Sequence, residues 1–191
     1  MSAPGHIQRS ADGGRDDWQT PPALFWLLDK EFDFDIDGAA DAGNALCPRF
    51  YAVADDAFKQ HPARERIFVN PSYGGREYPC KAVCQKKRCV KRGYHNAVYR
   101  PGLADWTALF IKWAEAGNEV VALMPSATDA EWWAAAAANA VETRLLMGRV
   151  GFINPDTGKP DGANTTGSTL FVFRFGLLRG DIWLWDWRKE L

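Results

Sequence analysis

Apolar and polar residues alternate along this chain in two rhythms, one helical and one strand-like. Leu24, Leu27 and Leu28 give the first segment an apolar face at helical spacing. Thr20 is placed to cap that helix and Pro21 to take its first position. Phe32 to Asp37 then alternates apolar and acidic residues, a strand pattern that ends at Gly38-Ala39-Ala40. Arg49 to Val53 reads as a short second strand and Arg66 to Asn70 as a third. Trp106, Leu109, Phe110 and Trp113 fall at i, i+3, i+4 and i+7 and predict a helix over 104–116, with Gly117 to end it. Glu119 to Pro125 is almost continuously apolar, as in a strand buried on both faces. Thr128 and Glu131 form a capping-box pattern opening a Trp- and Ala-rich helix to Asn139. Thr143 to Ile153 and Ser168 to Phe175 are apolar segments joined by a polar loop, which predicts a long hairpin. Trp183, Trp185 and Trp187 alternate as a last strand-like segment.

Helix–strand alternation followed by a hairpin predicts a three-layer α/β domain, its sheet mostly parallel with a C-terminal antiparallel hairpin at the edge. With 191 residues, the chain is long enough for one domain with a full core. Residues 74–102 break the pattern: they are rich in Gly, Cys, Lys and Arg and lack periodicity. They are expected to form an insertion with its own local structure. The start is polar and Gly-rich and has no apolar h-region, so residues 1–15 are expected to be a flexible tail and 16–191 the folded domain.

Composition narrows the picture further. An apolar fraction of 47% excludes wholesale disorder, and nine Trp suit a protein that stacks on planar bases as well as one with a large core. The formal net charge is −1, so any attraction to nucleic acid must be local. No stretch approaches the roughly 20 apolar residues that span a bilayer. A cytoplasmic protein with no membrane association and no obligate protein partner is expected, with its four Cys reduced or metal-bound.

The densest chemistry is Asn70-Pro71-Ser72-Tyr73, between the apolar run Ile67-Phe68-Val69 and Gly74-Gly75. In open α/β sheets, ligands bind where strands end at their carboxyl edge. A turn there offers the Asn70 side-chain acceptor, the Pro71 carbonyl and the Tyr73 ring, a set that suits the amino group of a planar base. Three upstream segments join it. Trp18-Gln-Thr-Pro21 precedes the first helix. Asp35-Ile-Asp-Gly-Ala-Ala40 is an acidic strand end whose small residues let a ligand approach the backbone. Asp55-Asp56-Ala57-Phe58 offers an acceptor and a ring to an adenine. Singly, each also suits plain structure: Asp37 a cap or solvated turn, Asp56 a surface turn, Thr20 a cap.

In this order the motifs resemble those of the amino-methyltransferases that use S-adenosylmethionine. More narrowly, the chain resembles the phage-type DNA adenine methyltransferases, the Dam-like family of phages and prophages. The resemblance rests on Asp16-Asp17-Trp18-Gln19-Thr20-Pro21, Asp35 to Asp41, Asn70 to Tyr73, and Gly148-Arg149-Val150-Gly151-Phe152 before a Gly-Ser-Thr strand. It implies a Rossmann-like methyltransferase fold and methylation of the adenine amino group in double-stranded DNA, within a bacterial host. Asn70, Pro71 and Tyr73 are its implied catalytic residues. Trp18, Thr20, Asp37, Ala39 and Ala40 would hold the methionine and ribose parts of the cofactor, and Asp56 and Phe58 its adenine. The family usually has a second Pro where Ser72 stands, so this turn is less rigid. The same acceptor set serves methylation of cytosine, of RNA or of protein glutamine, and a non-catalytic, zinc-bearing DNA-binding protein is the other alternative.

The insertion carries Cys80-x₃-Cys84-x₄-Cys89-x₅-His95. Three thiols and an imidazole suit a tetrahedral structural zinc site, with Cys47 as the other candidate for fourth ligand. Lys86, Lys87, Arg88, Lys91 and Arg92 fall in the same stretch and suit contact with DNA phosphates.

Overall fold

The computed structural model describes residues 18–81, 84–92, 95–155, 157–160, 166–176 and 180–191, with backbone alone for 88, 91 and 92. The expected tail, and Asp16 and Asp17, lie outside the described residues. A seven-stranded sheet is flanked by helices on both faces. In chain order the elements are α1 (Pro22–Phe32), β1 (Ile36–Asp37), β2 (Arg49–Phe50), β3 (Arg66–Val69), α2 (Lys87–Arg92), α3 (Leu103–Glu115), β4 (Glu119–Pro125), α4 (Glu131–Asn139), β5 (Glu142–Leu146), β6 (Ser168–Phe173) and β7 (Ile182–Trp185). The sheet order is β2-β1-β3-β4-β6-β5-β7.

Period-two side-chain alternation divides the core into two layers. Phe68, Val121 and Leu123 face α1 with Leu24, Leu28 and Phe32. Ile67, Val69, Val120, Ala122 and Met124 face α3 and α4 with Phe110, Trp113 and Trp133. The α/β fold with a mostly parallel sheet thus agrees with the sequence pattern. The C-terminal hairpin is present too, β5 and β6 pairing antiparallel from Glu142↔Val172. Its return strand β6 does not lie at the edge. It inserts between β4 and β5, antiparallel to both, while β7 extends the sheet parallel to β5.

Several local expectations give way to the structure. The first helix begins at Pro22, with Pro21 as its cap and no side-chain capping bond, so Thr20 is not the cap. Phe32 belongs to α1, and Asp33 closes that helix in the left-handed region at φ 53°. The alternating run therefore yields a strand only at Ile36–Asp37. Arg66 ties down the link instead, bonding Asp33 at 2.6 Å and Asp35 at 2.9 Å. Helix α4 starts at Glu131 with Ala130 as its cap and no side-chain bond, because Ala127 to Ala130 form a separate turn closed by the Ala130 N–H to the Ala127 carbonyl at 2.9 Å. Thr128 makes no capping box. Strand β5 stops at Leu146 rather than running to Ile153, because Gly148 turns the chain at φ 74°.

Arg144 stands where α1, β5 and β7 meet. It is buried, bonds Glu142 at 2.8 Å and Glu31 at 2.7 Å, and lies 5.0–5.4 Å from the ring centroids of Phe32, Trp183 and Trp185. Arg144→Ala leaves two carboxylates without their cation and removes the filler of an aromatic box. It is expected to cost about 3 kcal/mol of stability. A urea titration measures this, and a loss below about 1 kcal/mol would mean that the carboxylates find other partners.

Candidate active site

The strand order reverses between β1 and β3. From β1 the chain goes to β2 on one side and returns to β3 on the other, all parallel. The connections leaving the carboxyl ends of β1 and β3 head to opposite sides of the sheet there, which is where open α/β sheets take ligands in a crevice. Register puts Asp37 beside Phe68, two residues before Asn70. The acidic strand end and the Asn-Pro turn are thus brought together by the sheet itself.

Asp37 is only 4% exposed. Its carboxylate accepts the Leu46 N–H at 3.1 Å and the Ala39 N–H at 3.4 Å, which shapes the loop from Gly38 to Leu46. Burial is the main cause that pushes its acid up to about 6, partly offset by those two N–H groups. Gly38 bonds the Phe68 carbonyl at 2.7 Å, and a Cβ there would meet Val69 at 2.9 Å and Ile67 at 3.2 Å. Only glycine lets β1 leave the sheet this close to β3. Tyr51 supports the loop in a way the sequence did not reveal. Its N–H donates to the Asp37 carbonyl at 2.9 Å, and its carbonyl accepts the Ala40 N–H at 3.2 Å.

The Asn70 carboxamide lies 2.8 Å from the Tyr73 hydroxyl. Pro71 is buried and Ser72 exposed, with the Ser72 hydroxyl accepting the Gly74 N–H at 3.4 Å. That bond gives the turn some of the stiffness a second Pro would supply. The Tyr73 ring meets Phe152 edge-on, 6.1 Å between centroids at 84°. Phe152 in turn belongs to a segment tied to the N-terminal motif: Gln19 and Ile153 exchange backbone bonds of 3.0 and 2.9 Å. Trp18 and Tyr73 pack against the same core layer, and Thr20 is 3% exposed with its hydroxyl buried and unpartnered among the described residues. Trp18, Asn70, Tyr73 and Phe152 thus lie together on the α1 side, with the buried Thr20 next to Gln19 in the chain.

Ala39 and Phe58 pack on the opposite layer, where the Phe58 ring lies 4.9 Å from that of Trp106. Asp56 caps its own turn. One oxygen accepts the Phe58 N–H at 3.2 Å, and the other pairs with Lys59 at 2.8 Å.

The insertion is a two-legged projection. Glu77 and Arg100 pair across its base with bonds of 3.0 and 2.8 Å. Arg76 forks onto Asp105, its Nε at 2.8 Å, and Asp105 also accepts from the Tyr99 hydroxyl at 2.7 Å and the Gly102 N–H at 2.9 Å. The legs are thereby fixed to the first turn of α3. At the tip, one ligand atom from each of Cys80, Cys84, Cys89 and His95 lies within 4.8 Å of all the others. Cys47 is buried in the core layer against α1, its thiol pushed up to about 12 by burial and then by Asp37. It takes no part in the cluster, so His95 is the fourth member. Lys86 and Lys87 are exposed beside it. The side chains of Arg88, Lys91 and Arg92 lie outside the described residues, although all three positions fall in α2.

Fold and site together define an α/β domain with a ligand crevice at its switch point and an acceptor turn suited to an amino group. The sequence profile of the DNA N-6-adenine-methyltransferase (Dam) family matches residues 8–177, and the chain belongs to that family. A DNA N-6-adenine-methyltransferase of Escherichia phage T1 is 24% identical over 180 residues, which cover 85% of this chain and 64% of the relative. The chain thus spans just under two thirds of the length of the curated relative it matches. Strand β7 lies beyond the residues the family profile matches. Among the described residues no helix is long and apolar enough to cross a membrane.

Proposed function

We propose that this chain transfers a methyl group from S-adenosylmethionine to the exocyclic amino group of adenine in double-stranded DNA. The observation that carries this reading is the Asn70-Pro71 acceptor turn at the carboxyl end of β3, beside the Asp37 loop, in a Dam-family chain. An amino group inside a duplex is out of reach, so the base must be flipped into the crevice. Asn70 Oδ1 accepts one amino hydrogen and the Pro71 carbonyl the other, which favours a pyramidal nitrogen with its lone pair free. The Tyr73 ring offers a face to the base. Positioning and electrostatics supply the rate, without a protein nucleophile.

The cofactor supplies an electrophilic methyl group on a sulfonium. The crevice fits it: a buried carboxylate on small residues, and just before α1 a Thr20 hydroxyl that has no partner among the described residues. Asp37 with Ala39 and Ala40 would hold the methionine and ribose parts, with Trp18 and Thr20 beside the methionine end. Phe58 would face the adenine, with Asp56 able to turn to it from its contact with Lys59. The methyltransferase unit is residues 16–191, with the insertion at 74–102.

The thiol cluster fits zinc. Its sulfurs stand 3.6 and 3.8 Å apart, and tetrahedral Zn–S bonds of about 2.3 Å place sulfurs about 3.8 Å apart. Cys80, Cys84, Cys89 and His95 would hold the ion as a structural knuckle presenting Lys86, Lys87 and the other basic residues of α2 to DNA phosphates.

The test is transfer from labelled cofactor to unmethylated DNA, RNA and protein, followed by nucleoside analysis. N6-methyladenine in DNA is expected. Label confined to cytosine, RNA or protein overturns the reading.

Cofactor binding should depend on pH through Asp37. Its acid sits near 6 in the free protein, above the ordinary 3.8. Between about pH 4 and 6 the native state therefore holds a proton that the unfolded chain does not, and the empty fold loses stability as pH rises through that window. A donor from the cofactor needs the carboxylate. Affinity for S-adenosylmethionine is thus expected to rise with pH through about 6 and level off above 7. Calorimetry from pH 5 to 8 checks this, and a flat profile would count against Asp37 as a ligand.

A further inference from the structure

At the centre of the site two acceptors face one hydrogen. The Tyr73 hydroxyl lies 2.8 Å from Asn70 Oδ1 and 3.1 Å from the Leu123 carbonyl oxygen. Burial pushes the phenol well above its ordinary value, so it keeps its proton and has one hydrogen to give. The Leu123 carbonyl is a fixed acceptor in a fully buried stretch of β4. The oxygen and nitrogen of a carboxamide exchange places by a half-turn of the side chain, with almost no change in shape.

With Asn70 Oδ1 against the hydroxyl, one of the two acceptors goes without a hydrogen. The Asn70 NH₂ is then the end left for the crevice, a donor facing the donor it is meant to bind. After the half-turn every group is matched. Asn70 Nδ2–H donates to the Tyr73 oxygen, the Tyr73 hydroxyl donates to the Leu123 carbonyl, and Asn70 Oδ1 is left for the crevice.

We propose that Tyr73 is a positioning residue: its hydroxyl, directed by the Leu123 carbonyl, holds the Asn70 carboxamide with its oxygen towards the substrate amino group. This rests on the amino-methyltransferase reading and deepens it. A carboxamide fixed this way accepts an exocyclic amino group and rejects an exocyclic carbonyl, so the hydroxyl contributes to base discrimination as well as rate. The role is distinct from ring stacking, because the near-perpendicular contact of the ring with Phe152 does not involve the hydroxyl.

Tyr73→Phe separates the two. It keeps the ring and deletes the hydroxyl, leaving the Asn70 amide free to rotate. The expected result is a fall in kcat of about tenfold, with KM for S-adenosylmethionine and for DNA unchanged and the thermal midpoint somewhat lowered, because the buried Leu123 carbonyl loses its donor. A Tyr73→Phe protein with kcat within about twofold of wild type overturns the inference, as does a fall matched by a rise in either KM or by unfolding at the assay temperature. Wild-type protein that transfers no methyl group to DNA overturns instead the function on which the inference rests.

Discussion

Replacing Asn70 with alanine is expected to slow methyl transfer on the order of a thousandfold, the upper range for deleting one preorganised hydrogen-bonding group from a reaction centre. The side-chain oxygen is one of only two acceptors that the turn offers the amino group. Without it the nitrogen keeps both hydrogens near the ring plane and its lone pair stays delocalised into the base. The Pro71 carbonyl still holds one hydrogen, but one bond leaves the amino group free to swing. The lesion is local. Leu123 remains as acceptor for the Tyr73 hydroxyl, at 3.1 Å, so the ring keeps its place against Phe152. The Asp37 carboxylate is held by N–H groups of its own loop, after β1, and not by Asn70. Cofactor affinity should therefore hold within about threefold while single-turnover transfer nearly vanishes. Calorimetry and a rapid-quench assay measure the two separately. An Asn70→Ala protein with a tenth or more of wild-type activity would show that the amino group is held elsewhere.

What the sequence could show about this site depended on distance along the chain. Ile67-Phe68-Val69 running into Asn-Pro is a local signal, and the strand and turn appear where the pattern put them. Asp37 could be read as a strand end, but its burial could not. That comes from the Gly38–Phe68 contact and from Leu46, which returns to the carboxylate from nine residues away. The bond from Tyr73 to Leu123 spans 50 residues and has no local trace. Helix starts misled for a related reason. Thr20 and Thr128 have the right residue types for caps, yet each is held outside its helix by the chain around it: Gln19 by its bridge to Ile153, and Ala127 to Ala130 by their own turn. The position of β6 between β4 and β5 is likewise set by how the sheet closes, since an apolar segment bounded by polar loops looks the same in the middle of a sheet as at its edge.

The cluster in the insertion shows the limit most clearly. Spacing gave the three Cys in the insertion, but the choice of His95 over Cys47 as the fourth member hung on whether Cys47 folds into the core. That residue packs with Phe34 and Phe68 in the layer under α1, and burial there makes it an inert thiol rather than a ligand.

Removing the proposed zinc ion is expected to have the other large effect. Between its legs and tip the insertion has little apolar burial of its own: Tyr78, Val90, Val98 and Tyr99 are all exposed. Cys89 is its buried centre, and that burial is made by the cluster. In so small a unit, zinc binding is the folding energy, about 10 kcal/mol or more at neutral pH. A strong chelator, or Cys89→Ser, should therefore open residues 80–95 to proteases. The base should stay attached, because the fork from Arg76 to Asp105 and the Glu77–Arg100 pair do not involve the metal. With α2 unfolded, Lys86 and Lys87 lose their fixed geometry against phosphates. DNA affinity should fall at least about tenfold, and the salt dependence should become shallower by roughly one unit of slope per lost phosphate contact. The crevice between β1 and β3 lies outside the insertion, so cofactor affinity should be unchanged. That split, DNA binding lost and cofactor binding kept, distinguishes a structural knuckle that carries the DNA contacts from a metal that serves the whole fold. Chelated protein that binds DNA with undiminished affinity would show that the basic residues act without the knuckle. Cofactor binding lost together with DNA binding would show that the cluster supports the crevice as well.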